Sequence, residues 1–147
     1  EPGATREASE PGTEIGPGCA ERWSAMWVMT THGFYSTVRS REGMAMVRGR
    51  DRGDLERFLE VTGSDAEILE TVGTDYPCRV VVPRETWAAF LRSEAEAIDY
   101  RNFKDAVTAA QGRGRHDVYM QVWSALRGIT RLAPRRTVSD PDGKVQP

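Results

Sequence analysis

At 147 residues, 29% of them charged and 39% hydrophobic, the chain is sized for one globular domain. A net charge of −2 supplies no global field that would draw in nucleic acid or repel it. No run approaches the roughly 18 apolar residues of a spanning helix, no signal-peptide pattern opens the chain, and Cys19 and Cys78 are too few for a disulfide framework, so a cytoplasmic setting without membrane contact is expected.

Residues 1–25 are rich in Gly, Pro, Glu and Ser, with Ile15 and Trp23 almost the only large apolar side chains. Such a stretch buries too little surface to offset its ordering entropy and is expected to be a disordered leader. Its two arginines and five glutamates give −3, so the remaining residues carry about +1 of the total −2. Met26-Trp27 begins the first apolar run, which makes Met26 the expected start of the folded unit and a candidate translation start. The end of the chain, 134–147, is polar with three prolines and reads as a second disordered tail. A single domain over 26–133 lies between them.

Trp27-Val28-Met29 and Phe34 to Val38 are β-branched and aromatic, broken by His32-Gly33, and predict strand, turn, strand. Arg41-Glu42-Gly43 is a turn signal, and Met44 to Arg50 is the next strand. Asp51 opens a helix with Asp54 three residues on, an approximate capping box, and Leu55, Phe58 and Leu59 give it an apolar stripe. Gly63-Ser64-Asp65 ends that helix. Ala66 to Val72 and Cys78 to Val82 predict two further strands, with Cys78 as a small core residue. Pro83 stops the last strand, and Trp87, Phe90, Leu91, Ala95 and Ile98 mark a longer helix.

The two halves share a weak ββα pattern. It predicts an α+β fold, with an antiparallel sheet of four to five strands and both helices on one face. Two short C-terminal helices, Asn102 to Ala110 and Asp117 to Ile129, are expected to follow, joined by a flexible basic loop at Gly112 to Arg115. Val118, Val122, Trp123, Leu126 and Ile129 are the expected inward stripe of the last helix, and Trp87, Tyr119 and Trp123 are expected core aromatics.

Several runs together resemble a family of small uncharacterised bacterial and phage proteins. They are Trp27-x-x-Thr30-Thr31-x-Gly33-Phe34-Tyr35-Ser36, Val47-Arg48-x-Arg50 with Asp54-Leu55, Asp75-Tyr76-x-x-Arg79, Ile98-Asp99-Tyr100-x-Asn102-Phe103-Lys104, and Tyr119-x-x-Val122-Trp123. The resemblance covers nearly all of 26–126 and implies a shared single-domain fold, with no assigned activity, substrate or cofactor. Members begin near the position of Met26-Trp27. At Pro77-Cys78 the chain departs from the family pattern, where an aromatic or larger residue is expected.

For chemistry, His32 and His116 are the only histidines, and neither has partners at metal-ligand spacing, so no metal and no cofactor is expected. Gly112-x-Gly114 lacks the lysine and the strand-to-helix context of a phosphate loop, and no Gly-x-Ser-x-Gly elbow occurs. Strand alternation places Arg48 and Arg50 on one face and Arg79 opposite the small aliphatic residues of its own strand. If the aliphatic faces meet the helices, these arginines stand on the open face, and Tyr35, Thr37 and Arg39 are candidates to join them. A face bearing Arg and an aromatic suits stacking and guanidinium contacts, although a solvated polar face is also ordinary for such sheets. Asp99, Tyr100, Asn102 and Lys104 form a second candidate cluster for an anionic ligand or partner. In the structural alternative, Asp99 or Asn102 caps the following helix while Tyr100 packs.

Three function classes stay open. The first is a non-catalytic binding or adaptor module for a protein partner or a small, anionic ligand. The second binds nucleic acid or nucleotides through the arginine face. The third is a small hydrolase or ribonuclease built from His32 or His116 with Arg48, Arg79 and Lys104.

Overall fold

The computed structural model describes residues 25–132, so the expected tail and all but the last residue of the leader lie outside the described residues. Five strands and four helices follow one another: β1 (Met26–Met29), β2 (Phe34–Arg39), β3 (Met44–Gly49), α1 (Arg52–Thr62), β4 (Leu69–Glu70), β5 (Cys78–Pro83), α2 (Arg84–Glu96), α3 (Phe103–Leu126) and α4 (Gly128–Leu132). The fold is α+β, with one antiparallel sheet in the order β1-β2-β3-β5-β4.

Local chemistry explains most boundaries. Thr30 turns the chain between β1 and β2, its hydroxyl accepting from the amides of His32 at 3.1 Å and Gly33 at 3.2 Å. Such side-chain turns are a standing property of threonine. Asp51 caps α1 by accepting from the Gly53 amide at 2.9 Å. From α1, Leu55 and Phe58 descend onto the sheet, and from α2, Trp87 and Phe90 do the same. They meet Val47 and Val80 in the middle of the covered face. Tyr35 lies at the centre of this layer, with ring centroids 5.0 Å from Phe90, 6.1 Å from Trp87 and 6.3 Å from Phe58. Cys78 is buried here with a free thiol.

Several expectations are corrected. The fourth strand is only Leu69–Glu70 rather than Ala66 to Val72. The internal ββα repeat is not established, since β4 has two residues where β2 has six. Ile98 falls beyond the end of α2 and is exposed, so it does not extend that helix's apolar stripe.

α3 is divided in two near the place expected, but 113–115 is helical, where a flexible loop at Gly112 to Arg115 is expected. Gly112 has φ 82° and ψ 177°, a conformation that only glycine adopts readily, and it breaks the helix in two. Phe103 and Tyr119 stack with centroids 6.1 Å apart and planes within 2°. In a straight helix they would be separated by about 24 Å, so the two halves fold back on each other as a hairpin. Lys104 Nζ sits 4.2 Å from the Trp123 ring centroid, in keeping with that fold-back. Tyr119 is buried, as expected, but Val118, Val122, Trp123, Leu126 and Ile129 are exposed, Trp123 by 49%. The helical period is present, but Phe103 and Tyr119 supply the hairpin's own contact, leaving that stripe outside the core.

Candidate open sheet face

The register of the sheet decides which side chains share its uncovered face. Leu69 opposes Arg79, Arg79 opposes Arg48, Arg48 opposes Ser36, and Ser36 opposes Trp27. Directly opposed residues point to the same side, so these five form one lane across all five strands. Val47 and Val80, one position along β3 and β5, point to the helices.

Arg48 is held in place. Its Nη2 donates to Ser36 Oγ at 2.7 Å, its Nε donates to the Ser36 carbonyl at 3.4 Å, and its guanidinium lies 4.5 Å from the Tyr76 ring centroid. Arg50, one residue past β3, lies over the same ring at 5.0 Å. Arg79 has its Nε buried with no hydrogen-bond partner among the described residues. Among the described residues no carboxylate lies within 4.0 Å of Arg48, Arg50 or Arg79. Glu70 is turned away to Arg52 at 2.6 Å, and Arg52 also holds Glu56 at 2.8 Å. Like charges directly opposed across two strands are destabilising. Here Ser36 and the electron-rich face of Tyr76 partly offset the charge of Arg48, and the same ring lies under Arg50.

The eight candidate residues are found in three places. Arg48, Arg50 and Arg79 share the open face. Tyr35 does not: it is fully buried on the helix side, and Thr37 and Arg39 have the same parity, opposing Val47 and Ala45. The reason is register, because a shift of one residue exchanges the faces of a strand, and Ser36 is the residue opposite Arg48. Asp99, Tyr100, Asn102 and Lys104 gather at the start of α3. Asn102 caps that helix by accepting from the Lys104 amide at 2.9 Å, Tyr100 packs on Phe103 at 6.1 Å, and Lys104 covers Trp123. Asp99 and Tyr100 border a 630 Å3 cavity between the β1–β2 turn, α2 and the first half of α3.

Sequence reasoning missed Trp27, Phe34 and Tyr76 as part of the face. Trp27 is 70% exposed and meets Phe34 edge-on at 6.0 Å. Beside them the second half of α3 closes a cleft of 930 Å3, with Trp27, Met29 and Phe34 on one wall and Val118, Val122 and Leu126 on the other. Arg50 and Tyr76 also border it.

A partly buried ion pair holds that wall. Arg115 Nη1 donates to Asp54 Oδ2 at 2.7 Å, while its Nη2 donates to Asp54 Oδ1 and to Asp51 Oδ2, both at 2.9 Å. Asp54 also accepts from the Phe34 amide at 3.0 Å, tying α1, β2 and α3 at one carboxylate. Burial, with the nearby Asp54 charge, pushes the Tyr35 phenol far above its ordinary pKa, and burial likewise raises that of Tyr119.

The histidines stand apart from the arginine face. His32 pairs with Thr31 at 3.3 Å and lies 3.6 Å from Glu94, while His116 pairs with Asp117 at 2.9 Å. Among the described residues neither bonds to Arg48, Arg79 or Lys104. Among those residues no group of three or more His, Cys, Asp or Glu side chains is placed to hold a metal ion. No described helix is long and apolar enough to cross a membrane. No family model, curated protein or solved structure matches the chain.

Proposed function

We propose that the protein is a non-catalytic binding module whose open sheet face takes a ligand carrying anionic groups. One observation carries the reading: Arg48 and Arg79 oppose each other across β3 and β5 with no carboxylate among the described residues within 4.0 Å of either. A purely solvated face has no need to hold two cations side by side, since opposite charges at such positions stabilise a sheet and like charges weaken it. An anion bridging the two guanidiniums turns that repulsion into paired, charge-assisted hydrogen bonds.

Further support comes from the way Arg48 is fixed. Of its five N–H donors, two are engaged by Ser36 and its plane rests on Tyr76, so the remaining donors are oriented before any ligand arrives. Pre-orientation of this kind lowers the entropy cost of binding. A planar fork also recognises phosphate or carboxylate in a way that lysine does not.

The test uses inorganic polyphosphate as the probe, with affinity measured by calorimetry at several salt concentrations. Binding is expected to weaken linearly in log K against log salt, the signature of charge neutralisation with ion release. Arg48→Ala and Arg79→Ala are each expected to weaken it without unfolding the domain, and Arg48→Lys is expected to weaken it as well. Binding that ignores both salt and these substitutions would overturn the reading.

A further inference from the structure

Resting on that reading, we infer that the ligand is single-stranded nucleic acid, its phosphates on the Arg48–Arg79 pair and an unstacked base in the aromatic cleft beneath α3. The lane from Arg79 through Arg48 and Ser36 to Trp27 crosses three strand spacings, about 14 Å, and changes from cationic to aromatic along its length. A polyanion lying across the strands therefore meets the guanidiniums at one end and the cleft at the other.

The cleft has the chemistry of a base site. Its 930 Å3 lies within the range of ordinary ligand pockets, roughly 300–1,000 Å3. Trp27 offers an exposed indole with Phe34 set edge-on to it, and Val122 faces them from α3. Tyr76 joins the two parts, since its ring carries both Arg48 and Arg50 while also bordering the cleft. Stacking on aromatic side chains beside a positively charged track is how single strands are held with little sequence preference. A duplex has its bases stacked inside and presents no free ring to Trp27.

Charge complementarity selects this occupant over an apolar peptide or a second copy of the chain. Among the described residues, Arg50 at the cleft and Arg48 and Arg79 on the adjoining sheet face have no carboxylate within 4.0 Å and favour an anion there, whereas Arg115 on the cleft wall is paired with Asp51 and Asp54. An apolar partner would bury Arg50 without a counter-charge, which is strongly unfavourable.

The deciding experiment compares a short, labelled single-stranded oligonucleotide with its fully abasic counterpart, by fluorescence anisotropy with the full chain. The base-bearing strand is expected to bind more tightly by roughly 5- to 100-fold, the range for one or two stacked bases. Trp27→Ala and Val122→Gln, both at exposed positions, are expected to erase most of that preference while leaving abasic binding within about twofold, as base stacking alone is removed. Arg79→Ala is expected to weaken both strands alike. Equal affinity for the two strands would overturn the base site while leaving the anion-binding face standing. Failure of both strands and of polyphosphate to bind would overturn both. A concentration-dependent dimer abolished by Val122→Gln, seen in sedimentation, would assign the cleft to a second copy and overturn the inference.

Discussion

Arg115→Met removes the tether between the second half of α3 and the rest of the domain while keeping the aliphatic stem. Three charge-assisted bonds are lost, two to Asp54 at 2.7 and 2.9 Å and one to Asp51 at 2.9 Å. The Asp51 bond is exposed and contributes at most about 1 kcal/mol. The Asp54 bonds are different in kind: its side chain is only 4% exposed, and after the substitution the carboxylate retains one donor, the Phe34 amide. Breaking a fully buried pair costs about 3–5 kcal/mol, and Arg115 is one-fifth exposed, so a loss of about 2–4 kcal/mol is expected. For a domain of this size that corresponds to a fall in Tm of roughly 10–20 °C. Urea denaturation of Arg115→Met, Asp54→Asn and the double variant closes a thermodynamic cycle, and a coupling of at least about 1.5 kcal/mol is expected. Additive single effects, or a loss below about 0.5 kcal/mol for Arg115→Met, would refute the reasoning. The hairpin would then be held by Val107, the Phe103–Tyr119 stack, the Lys104–Trp123 contact and the Gln111 bond to the Thr31 carbonyl.

Arg79→Leu is expected to raise stability by about 0.5–1 kcal/mol, because it removes a like charge opposite Arg48 and a buried, unpartnered Nε; melting curves check this, and a clear loss would mean that Arg79 is structural. Trp87→Ala is expected to cost about 3–5 kcal/mol and Trp123→Ala only about 1–2 kcal/mol, since the first indole is 6% exposed and the second 49%. Equal costs in urea titrations would put Trp123 back in the core. Tyr35 and Tyr119 have phenol pKa values raised by burial, so the unfolded state loses protons near pH 10 while the folded state keeps them. Their contribution is fully present below about pH 10 and is lost as pH rises above it, by about 1.4 kcal/mol per pH unit for each phenol. Tyr35→Phe is expected to flatten the alkaline fall in stability, and an unchanged slope would count against burial as its cause.

The sheet and its two covering helices were legible because their signals are local. Alternation in Met44 to Arg50 and in Cys78 to Val82, the Asp51 cap and the Leu55–Phe58 stripe each specify their own element. Alternation puts Arg48 and Arg79 on one face only on the condition that the aliphatic faces meet the helices, and their direct opposition depends on strand order and register, which no single strand encodes. Tyr35 failed for the same reason, since parity within β2 has meaning only once Ser36 is known to oppose Arg48. Tyr76 was legible only as a loop residue, because nothing in Asp75-Tyr76-Pro77 shows that the ring lies beneath two guanidiniums. The helical period of Val118, Val122 and Leu126 marks an apolar stripe, which points outward rather than into the core. Periodicity shows that a stripe exists, and the turn at Gly112 determines what it faces.

The most direct test of the central claim is an amide and indole chemical-shift titration of the labelled protein with a short single-stranded oligonucleotide. Perturbations are expected at Ser36, Arg48, Arg79 and the Trp27 indole, along one lane of the open face, with Val47 and Val80 on the covered face moving far less. Shifts concentrated on the outer surfaces of α1 and α2, or none in that lane at saturating ligand, would contradict the assignment of the open sheet face as the binding surface.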